Sequence, residues 1–282
     1  MFLAVAFWGF SYVWMKIVME YYSPVSTMML RLTISSILIF LLFRKRIERI
    51  DRSDYRLFFY LSFFSPFCYF IGESFGIFHV SPVVASVIVA TIPVLTPLLG
   101  YFGFREKLTA LNFLGFGVSF VGVVVMVLDV NMQFTASPKG VAFLFLAVFS
   151  ALASMIFLKK LTAKYSSTTI IATQNLLGVL FFLPLFLVID SSNFVHVKPS
   201  AGAIASLFAL AFFASTLAFI FFTSGIRTLG VARASIYTNL IPVFTAVVSL
   251  VFLKEVIDAQ KLLGMALVMS GLFLTQFGKK GK

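Results

Sequence analysis

Charged residues are scarce in this sequence: Asp, Glu, Lys and Arg make up only 11% of its 282 residues, whereas 61% are hydrophobic. A soluble protein of this length needs a polar surface, so the composition excludes an ordinary soluble domain. The few charges lie in short clusters between apolar stretches of about 20 residues, the length that crosses a bilayer. The mean hydropathy of +1.06 agrees. The sequence therefore predicts an integral membrane protein.

The chain is also poor in the residues from which catalytic and metal sites are built. Cys68 is the only cysteine, which excludes an intramolecular disulfide and a cysteine cluster. The two histidines, His79 and His196, have no clustered carboxylates, and no HExxH, GxSG or paired-aspartate motif occurs. No repeated filter loop of a channel is present. An intramembrane enzyme and a channel are the alternatives to a carrier, and we expect no cofactor and no metal.

Ten apolar stretches are long enough to span a membrane. They run apolar throughout instead of alternating polar with apolar residues, which favours helices over barrel strands. The predicted fold class is an all-α integral membrane protein with ten transmembrane helices. The predicted spans cover residues 2–19, 25–43, 57–78, 83–104, 110–128, 141–158, 169–189, 201–226, 232–253 and 262–277.

The net charge of +12 would suit a nucleic-acid partner, but the placement of the basic residues argues against one. With the N-terminus in the cytoplasm, the opposite side keeps only Lys139, Lys198, Lys254 and Lys261, and the positive-inside rule places both termini in the cytoplasm. We interpret the run RKRIER as a topology determinant that also meets anionic lipid, with a partner-binding patch as the alternative. We expect a multi-pass protein of the cell inner (plasma) membrane. The cytoplasmic basic residues are Arg44, Lys45, Arg46, Arg49, Arg52, Arg56, Arg105, Lys107, Lys159, Lys160, Lys164, Arg227, Arg233, Lys279, Lys280 and Lys282.

An internal repeat divides the chain into two similar halves. With an offset of 149 residues, the segment 85–122 overlays the segment 234–271, and with an offset of 143 Ser11 matches Ser154. Since five spans are an odd number, the second copy must enter the membrane from the opposite side. Inverted repeats of this kind are typical of secondary transporters. The matched pairs include Ala85 and Ala234, Ser86 and Ser235, Pro93 and Pro242, Thr96 and Thr245, Glu106 and Glu255, Gly115 and Gly264, and Gly122 and Gly271.

These features together resemble the drug/metabolite transporter superfamily, specifically its EamA-like branch with two tandem five-span domains. The resemblance is carried by AFWGFSYVWMKI in the first span, by GIFHVSPVVASVIVATIPVLTPLLG and REKLT across the fourth, and by their echoes in the second half. It implies domains at 1–128 and 139–278. It also implies a proton- or gradient-driven carrier or exporter of small metabolites, with a central cavity lined by spans one to four and six to nine. The family often carries glutamate before the second-half proline, where this chain has Ile241.

Glu73 is the most informative candidate for a substrate or proton site, because an ionised group inside a span is costly and functional by default. Lys16 and Arg31 fall at a similar depth, so we predict one cluster that binds a small polar metabolite such as an amino acid, with protons as a candidate coupling ion. The alternative is a static ion pair that ties spans one to three together. The further cavity candidates, chosen for aromatic rings with a polar group or for uncharged hydrogen bonding, are Trp8, Tyr12, Trp14, Tyr69, Tyr237, Asn239, Thr238, Gln174 and Asn175.

Pro93 and Pro242 occupy matched positions in the fourth and ninth spans, where proline leaves a carbonyl without its helical partner. We predict that they mark gates or hinges, with a simple packing kink as the alternative. The matched glycines of the fifth and tenth spans form smooth stripes for close packing. Those stripes fit an internal contact or a dimer interface, so a monomer and a homodimer both remain open. The expected partners are a small-molecule substrate and the lipid bilayer.

Overall fold

The structure is a computed structural model of the chain, and it describes residues 1–104, 108–129, 131–230, 233–234 and 237–277. Several residues used in the sequence analysis lie outside the described residues. They are Arg105, Glu106 and Lys107 of the REKLT motif, Ala232 at the predicted start of the ninth span, Ser235 of the repeat, and Gly278, Lys279, Lys280 and Lys282 at the C-terminal end.

Helices account for most of the described chain, which confirms the all-α prediction. Among the described residues, the pairing of Leu128 with Phe134 is the one strand-like contact. The helices are α1 Phe2–Val18, α2 Pro24–Phe43, α3 Tyr55–Ser62, α4 Tyr69–His79, α5 Pro82–Val89, α6 Ile92–Phe104, α7 Ala110–Val127, α8 Pro138–Thr162, α9 Ser167–Ile189, α10 Ser191–Phe194, α11 Ala201–Ala209, α12 Ala218–Leu229, α13 Ile241–Phe252 and α14 Ala259–Phe277.

Within the described residues, six helical runs are long and apolar enough to cross a membrane, and three further apolar helices are shorter. The apolar helix α14 packs along α7. A chain with this many apolar helices is a multi-pass membrane protein. The six long runs are Pro24–Arg46, Arg52–His79, Ala110–Val127, Pro138–Thr162, Ser167–Ile189 and Ala201–Leu229, and the shorter helices are Phe2–Val18, Pro82–Leu98 and Tyr237–Phe252.

Serine followed by proline begins three of the helices. Ser23, Ser81 and Ser137 are the N-caps of α2, α5 and α8, and each side chain accepts a hydrogen bond from a backbone N–H in the first turn. The following proline suits this place because its missing N–H would have no helical partner there. Ser166 caps α9 in the same way. The local sequence therefore determines where these helices start.

Helical continuity is interrupted at matched places in the two halves. The π-helical segments Phe63–Cys68 and Leu210–Leu217 interrupt the third and eighth predicted spans, and they overlap under the offset of 149. Pro93 and Pro242 are each the second residue of a helix, α6 and α13, that begins inside a predicted span. Such interruptions redirect side chains and free backbone carbonyls in the interior of the bundle.

The glycine stripes of α7 and α14 face each other within one chain. A Cβ atom added to Gly122 would lie 2.8 Å from the Gly264 carbonyl oxygen, and Gly115 meets Gly271 in the same manner. Ser119 Oγ donates a 3.2 Å hydrogen bond to the Val268 carbonyl between them. The order of these contacts makes the two helices antiparallel. The glycine stripes therefore form a contact within the chain, and they no longer serve as an argument for a homodimer.

The helices α2 and α9 are antiparallel, and an acidic residue at the C-terminal end of each caps the N-terminus of the other. Asp190, which follows α9, accepts hydrogen bonds from the Ser26 backbone N–H (3.1 Å) and hydroxyl (2.9 Å), and from the Ser23 hydroxyl. Glu48, beyond the end of α2, accepts a 2.8 Å bond from the backbone N–H of Ser166, which caps the start of α9. Carboxylates are favourable at helix N-termini, so each helix stabilises the first turn of the other.

A polar bridge on the predicted cytoplasmic side joins the start of α3 to the end of α8. Lys164 Nζ donates to both Asp54 oxygens at 3.1 and 2.9 Å, and the Tyr165 hydroxyl donates to Oδ2 at 2.8 Å. The Asp54 carboxylate raises the pKa of Lys164, first through hydrogen bonding and then through charge attraction. A raised pKa means that this stabilisation is complete below lysine's ordinary pKa and is lost only as the pH rises through the folded value. The bridge therefore stays intact at neutral pH.

Candidate functional site

A cavity of about 110 Å³ lies among the interrupted helices in the interior of the bundle. Its walls combine aromatic rings with polar and charged side chains, which suits a site that binds and orients a small molecule. The aromatic walls include Trp8, Phe70, Phe219 and Phe222. The polar residues that line it are Ser11, Tyr12, Arg31, Ser65, Tyr69, Glu73, Ser154, Gln174, Thr223 and Thr238.

Glu73 lies in the wall of this cavity and is 95% buried. The Tyr69 hydroxyl, one helical turn earlier, donates a 2.7 Å hydrogen bond to Oε1. The adjacent Gly72 lets α4 approach α8 closely, since an added Cβ would meet the Phe143 carbonyl oxygen and the Ala147 nitrogen at 2.5 Å. Gly72 is thus part of what sets the position of the carboxylate.

Arg31 faces Glu73 from α2, with Nη1 3.7 Å from Oε2. Its guanidinium carbon lies 4.3 Å from the centre of the Phe70 ring, and its Nε donates to the Ser215 hydroxyl in the second π-helical segment. Arg31 is almost completely buried. The structure therefore brings two of the three predicted intramembrane charges together, and adds cation–π and hydrogen-bond contacts to Arg31.

The ion pair is close but not directly hydrogen-bonded, because charge-assisted N–H···O bonds are normally about 2.7–2.9 Å long. Removing one member of a buried pair costs about 3–5 kcal/mol, since the remaining charge loses its partner. A bound molecule that carries both a cation and an anion could replace both partners without stranding either charge. This geometry allows the cavity to hold a zwitterion, or to hold a proton on Glu73.

Lys16 does not belong to this cluster. Its ammonium donates to the backbone carbonyls of Ile77 at 2.7 Å, Phe78 at 3.4 Å and Val80 at 3.1 Å, at the end of α4. The lysine therefore caps the C-terminus of α4, where the helix dipole favours a cation.

The remaining predicted site residues divide between the cavity wall and other surroundings. Trp14 packs on Phe213 with ring centres 6.2 Å apart and is absent from the lining described above. Tyr237 is 39% exposed, while Asn239 is buried, and its Oδ1 has no hydrogen-bond partner among the described residues. The neighbouring Thr238 and Ile241 line the cavity in their place.

The predicted hinge prolines adjoin the cavity without lining it. In each half the residue immediately before the proline, Ile92 or Ile241, is part of the wall. Pro93 and Pro242 thus place the start of a helix beside the cavity. Their predicted role in gating stays a prediction.

Two lining residues were missed by the sequence analysis as site residues although a signal existed. Ser11 and Ser154 match under the offset of 143, and both line the cavity. Gln174, which matches Arg31 under the same offset, donates a 2.7 Å bond to the Ser65 carbonyl in the first π-helical segment. Arg31 and Gln174 therefore each donate to the π-helical segment of the other half, Arg31 to a side-chain hydroxyl and Gln174 to a backbone carbonyl, and only the first half carries the charge. No metal-binding group of three or more His, Cys, Asp or Glu side chains occurs among the described residues.

Comparison with known proteins agrees with this architecture. The profile of the family described as "EamA-like transporter family" matches residues 1–128 and 138–277. The chain is 27% identical to "Uncharacterized transporter YetK" of Bacillus subtilis (98% of this chain, 86% of that one). It is 26% identical to "Probable amino-acid metabolite efflux pump" of Salmonella typhimurium (98% and 93%).

A solved structure titled "Crystal structure of protein" has a TM-score of 0.70 at 16% identity, and the match covers 97% of this chain and 93% of that one. At this identity the likeness shows the fold alone. The family and the named relatives are transporters and not enzymes. Since the family profile matches almost the whole chain, this protein belongs to the EamA-like transporter family.

Proposed function

We propose that the protein is a secondary active transporter that carries a small polar metabolite, of the amino-acid class, by alternating access around the central cavity. The observation that carries this proposal is the buried Arg31–Glu73 pair at the cavity wall. A guanidinium complements a carboxylate and a carboxylate complements an ammonium group, so the pair suits the two charges of an amino acid. The name of the Salmonella relative, "Probable amino-acid metabolite efflux pump", is consistent with this substrate class.

The proposed architecture is ten spans in two inverted domains, 1–128 and 139–278, with both termini in the cytoplasm of an inner-membrane protein. The matched π-helical segments and the matched helix starts at Ile92 and Ile241 support the repeat. The antiparallel pairs α2–α9 and α7–α14 support the inversion. A two-fold axis in the membrane plane exchanges the two helices of each pair, and equivalent helices related in this way run in opposite directions across the membrane. The short helices complete the count: α1 has 17 residues, at the lower limit of about 17–25 for a span.

In the proposed orientation, the cavity extends toward the cytoplasm and is closed on the external side. Leu158, Thr223 and Thr238 line it near the predicted cytoplasmic ends of their helices. On the external side, Lys16 ties the end of α1 to the end of α4. Opening toward the outside would break these bonds, so Lys16 acts as a latch of the external gate. Titration of Glu73 is the proposed route of proton coupling.

Transport by the purified chain in proteoliposomes tests this function. A panel of radiolabelled amino acids should show uptake that saturates with concentration and collapses when the imposed proton gradient is dissipated. Empty liposomes and liposomes with heat-denatured protein are the controls. Uptake that rises linearly with concentration would indicate a channel, and absence of uptake for every zwitterion tested would overturn the amino-acid class.

A further inference from the structure

A second cavity, of about 530 Å³, lies where α2 ends, α9 begins and α12 ends, on the side that the charge distribution assigns to the cytoplasm. Three cations line it: Lys45 and Arg46 after α2, and Arg227 in the last turn of α12. We refer to it as the basic cavity. It is separate from the central cavity, and the two have no lining residue in common.

The three cations have no acidic partner within the described part of the chain. Its ion pairs are Arg31–Glu73, Lys164–Asp54 and Lys261–Glu255. The one acid that lines the basic cavity, Glu48, already accepts a hydrogen bond from the Ser166 backbone N–H and so caps α9. Three like charges around one concavity repel each other, and an anion between them would relieve that repulsion.

The surroundings distinguish a lipid from a soluble anion. The last turn of α2, immediately before the cations, exposes Phe40 (60%), Leu41 (67%) and Leu42 (56%). In a membrane these side chains face acyl chains, while the cations stand at the level of the headgroups. Ile47 and Ile220 add apolar surface to the cavity wall. This combination fits a molecule that carries a phosphate and hydrocarbon together.

We propose that the basic cavity binds the phosphate headgroup of an anionic phospholipid of the cytoplasmic leaflet. Such a lipid would hold α2, α9 and α12 together at the membrane surface, which joins parts of both halves of the chain. The orientation rests on the proposed topology, but the binding does not depend on any transport activity.

Titration of the delipidated, detergent-solubilised full chain with phosphatidylglycerol, followed by native mass spectrometry, tests the proposal. Each cation that lines the cavity and contacts the bound headgroup should contribute about a fivefold gain in anionic-lipid affinity. Arg227→Gln should therefore weaken binding about fivefold, and the triple variant Lys45→Gln/Arg46→Gln/Arg227→Gln about 100-fold. Phosphatidylcholine should bind weakly to the native chain and equally weakly to these variants.

The matched control removes three exposed basic residues of the same side, Arg49→Gln/Arg52→Gln/Lys160→Gln, which do not line the basic cavity. Binding by the control triple should stay within about twofold of the native chain. Equal loss in both triples would overturn the proposal, because diffuse surface charge would then account for the binding. Displacement of the lipid by inorganic phosphate would also overturn it in favour of a soluble anion. Arg227→Gln leaves the RKRIER run intact, so it remains a valid test if the triple variant fails to fold.

Discussion

At the scale of single residues, a substitution at Glu73 distinguishes a role of its carboxylate in transport from a purely structural role as a tether between helices. We expect Glu73→Gln to insert and fold, because the amide keeps the size of the side chain and can still accept the Tyr69 hydrogen bond. The melting temperature should fall, because Arg31 loses its charge partner and keeps only its contacts with Phe70 and Ser215. Transport should lose its pH dependence, and KM for a zwitterionic substrate should rise by roughly 10- to 100-fold, the value of a charge-assisted hydrogen bond. Initial rates in proteoliposomes over a pH series, together with the melting temperature, measure both effects.

Two further variants control this experiment. Glu20→Gln removes an exposed carboxylate near the end of α1 and should leave rate and pH profile unchanged. Arg31→Gln alone leaves Glu73 unpaired, so it should destabilise the protein, and the double variant with Glu73→Gln should recover part of that loss. Normal transport by Glu73→Gln at every pH, with the only defect in stability, would identify the pair as a tether.

The second prediction for a single residue concerns the role of Lys16 in keeping the external gate closed. Lys16→Met keeps a long apolar side chain but removes the three hydrogen bonds to α4 and the turn after it. We expect the external gate to open more often, so that a cysteine placed at Ser154 in the cavity wall reacts several times faster with an impermeant thiol reagent added outside. The measurement uses a Cys68→Ser background. Lys139→Met, at an exposed lysine on the same predicted side, should not change the rate, and an unchanged rate for Lys16→Met would refute the latch.

Lys16 also shows why the site was only partly predictable from the sequence. The depth of Glu73, Arg31 and Lys16 along their spans follows from counting residues. The direction in which each side chain leaves its helix depends on helix rotation, and the reach of a flexible lysine adds further freedom. Glu73 and Arg31 meet as predicted, whereas the lysine finds carbonyl partners that no sequence pattern marks.

At the scale of helices, the prolines at the cavity test whether the interruptions are needed for movement. Pro93→Ala would supply an N–H for the Val89 carbonyl and favour one continuous helix from α5 to α6, and Pro242→Ala should act likewise before α13. We expect each variant to lower the transport rate by about tenfold or more while the melting temperature stays equal or rises. Pro184→Ala, inside the regular helix α9, is the matched control. Parallel losses of rate and stability in the two hinge variants would favour a packing role.

The interruptions of the third and eighth spans differ in how well the local sequence predicts them. Pro66 lies within the first π-helical segment and marks a break, because proline cannot donate to the helical ladder. The segment Leu210–Leu217 contains no proline or glycine, yet it is π-helical, and it lacks the kink that extended backbone angles at Ser65 give the first segment. Its polar contacts, from Arg31 to Ser215 and between Ser35 and Thr216 at 2.7 Å, come from tertiary packing. Local sequence alone therefore predicts one interruption and not the other.

At the scale of the whole molecule, the topology is open to a direct test. In the Cys68→Ser background, cysteines at Arg49 and Lys160 should resist an impermeant reagent added to intact cells, while cysteines at Lys139, Lys198 and Asp258 should react. The reason is the excess of basic residues on one side of ten spans. Permeabilised cells provide the control that all five positions are reactive. External labelling at position 49 or 160 would exclude five spans per half and, with it, the inverted repeat.

The reciprocal caps of α2 and α9 have a consequence for how the molecule could be divided. Asp190 serves the first turn of α2 and Glu48 serves the first turn of α9, so each half of the chain holds the acid that the other half uses. A cut in the connection between α7 and α8 would leave two fragments, each with a helix start lacking its acid and an acid lacking its helix. Each fragment would therefore depend on the other for one of its helix caps, so we expect the two fragments to be stable only when they associate.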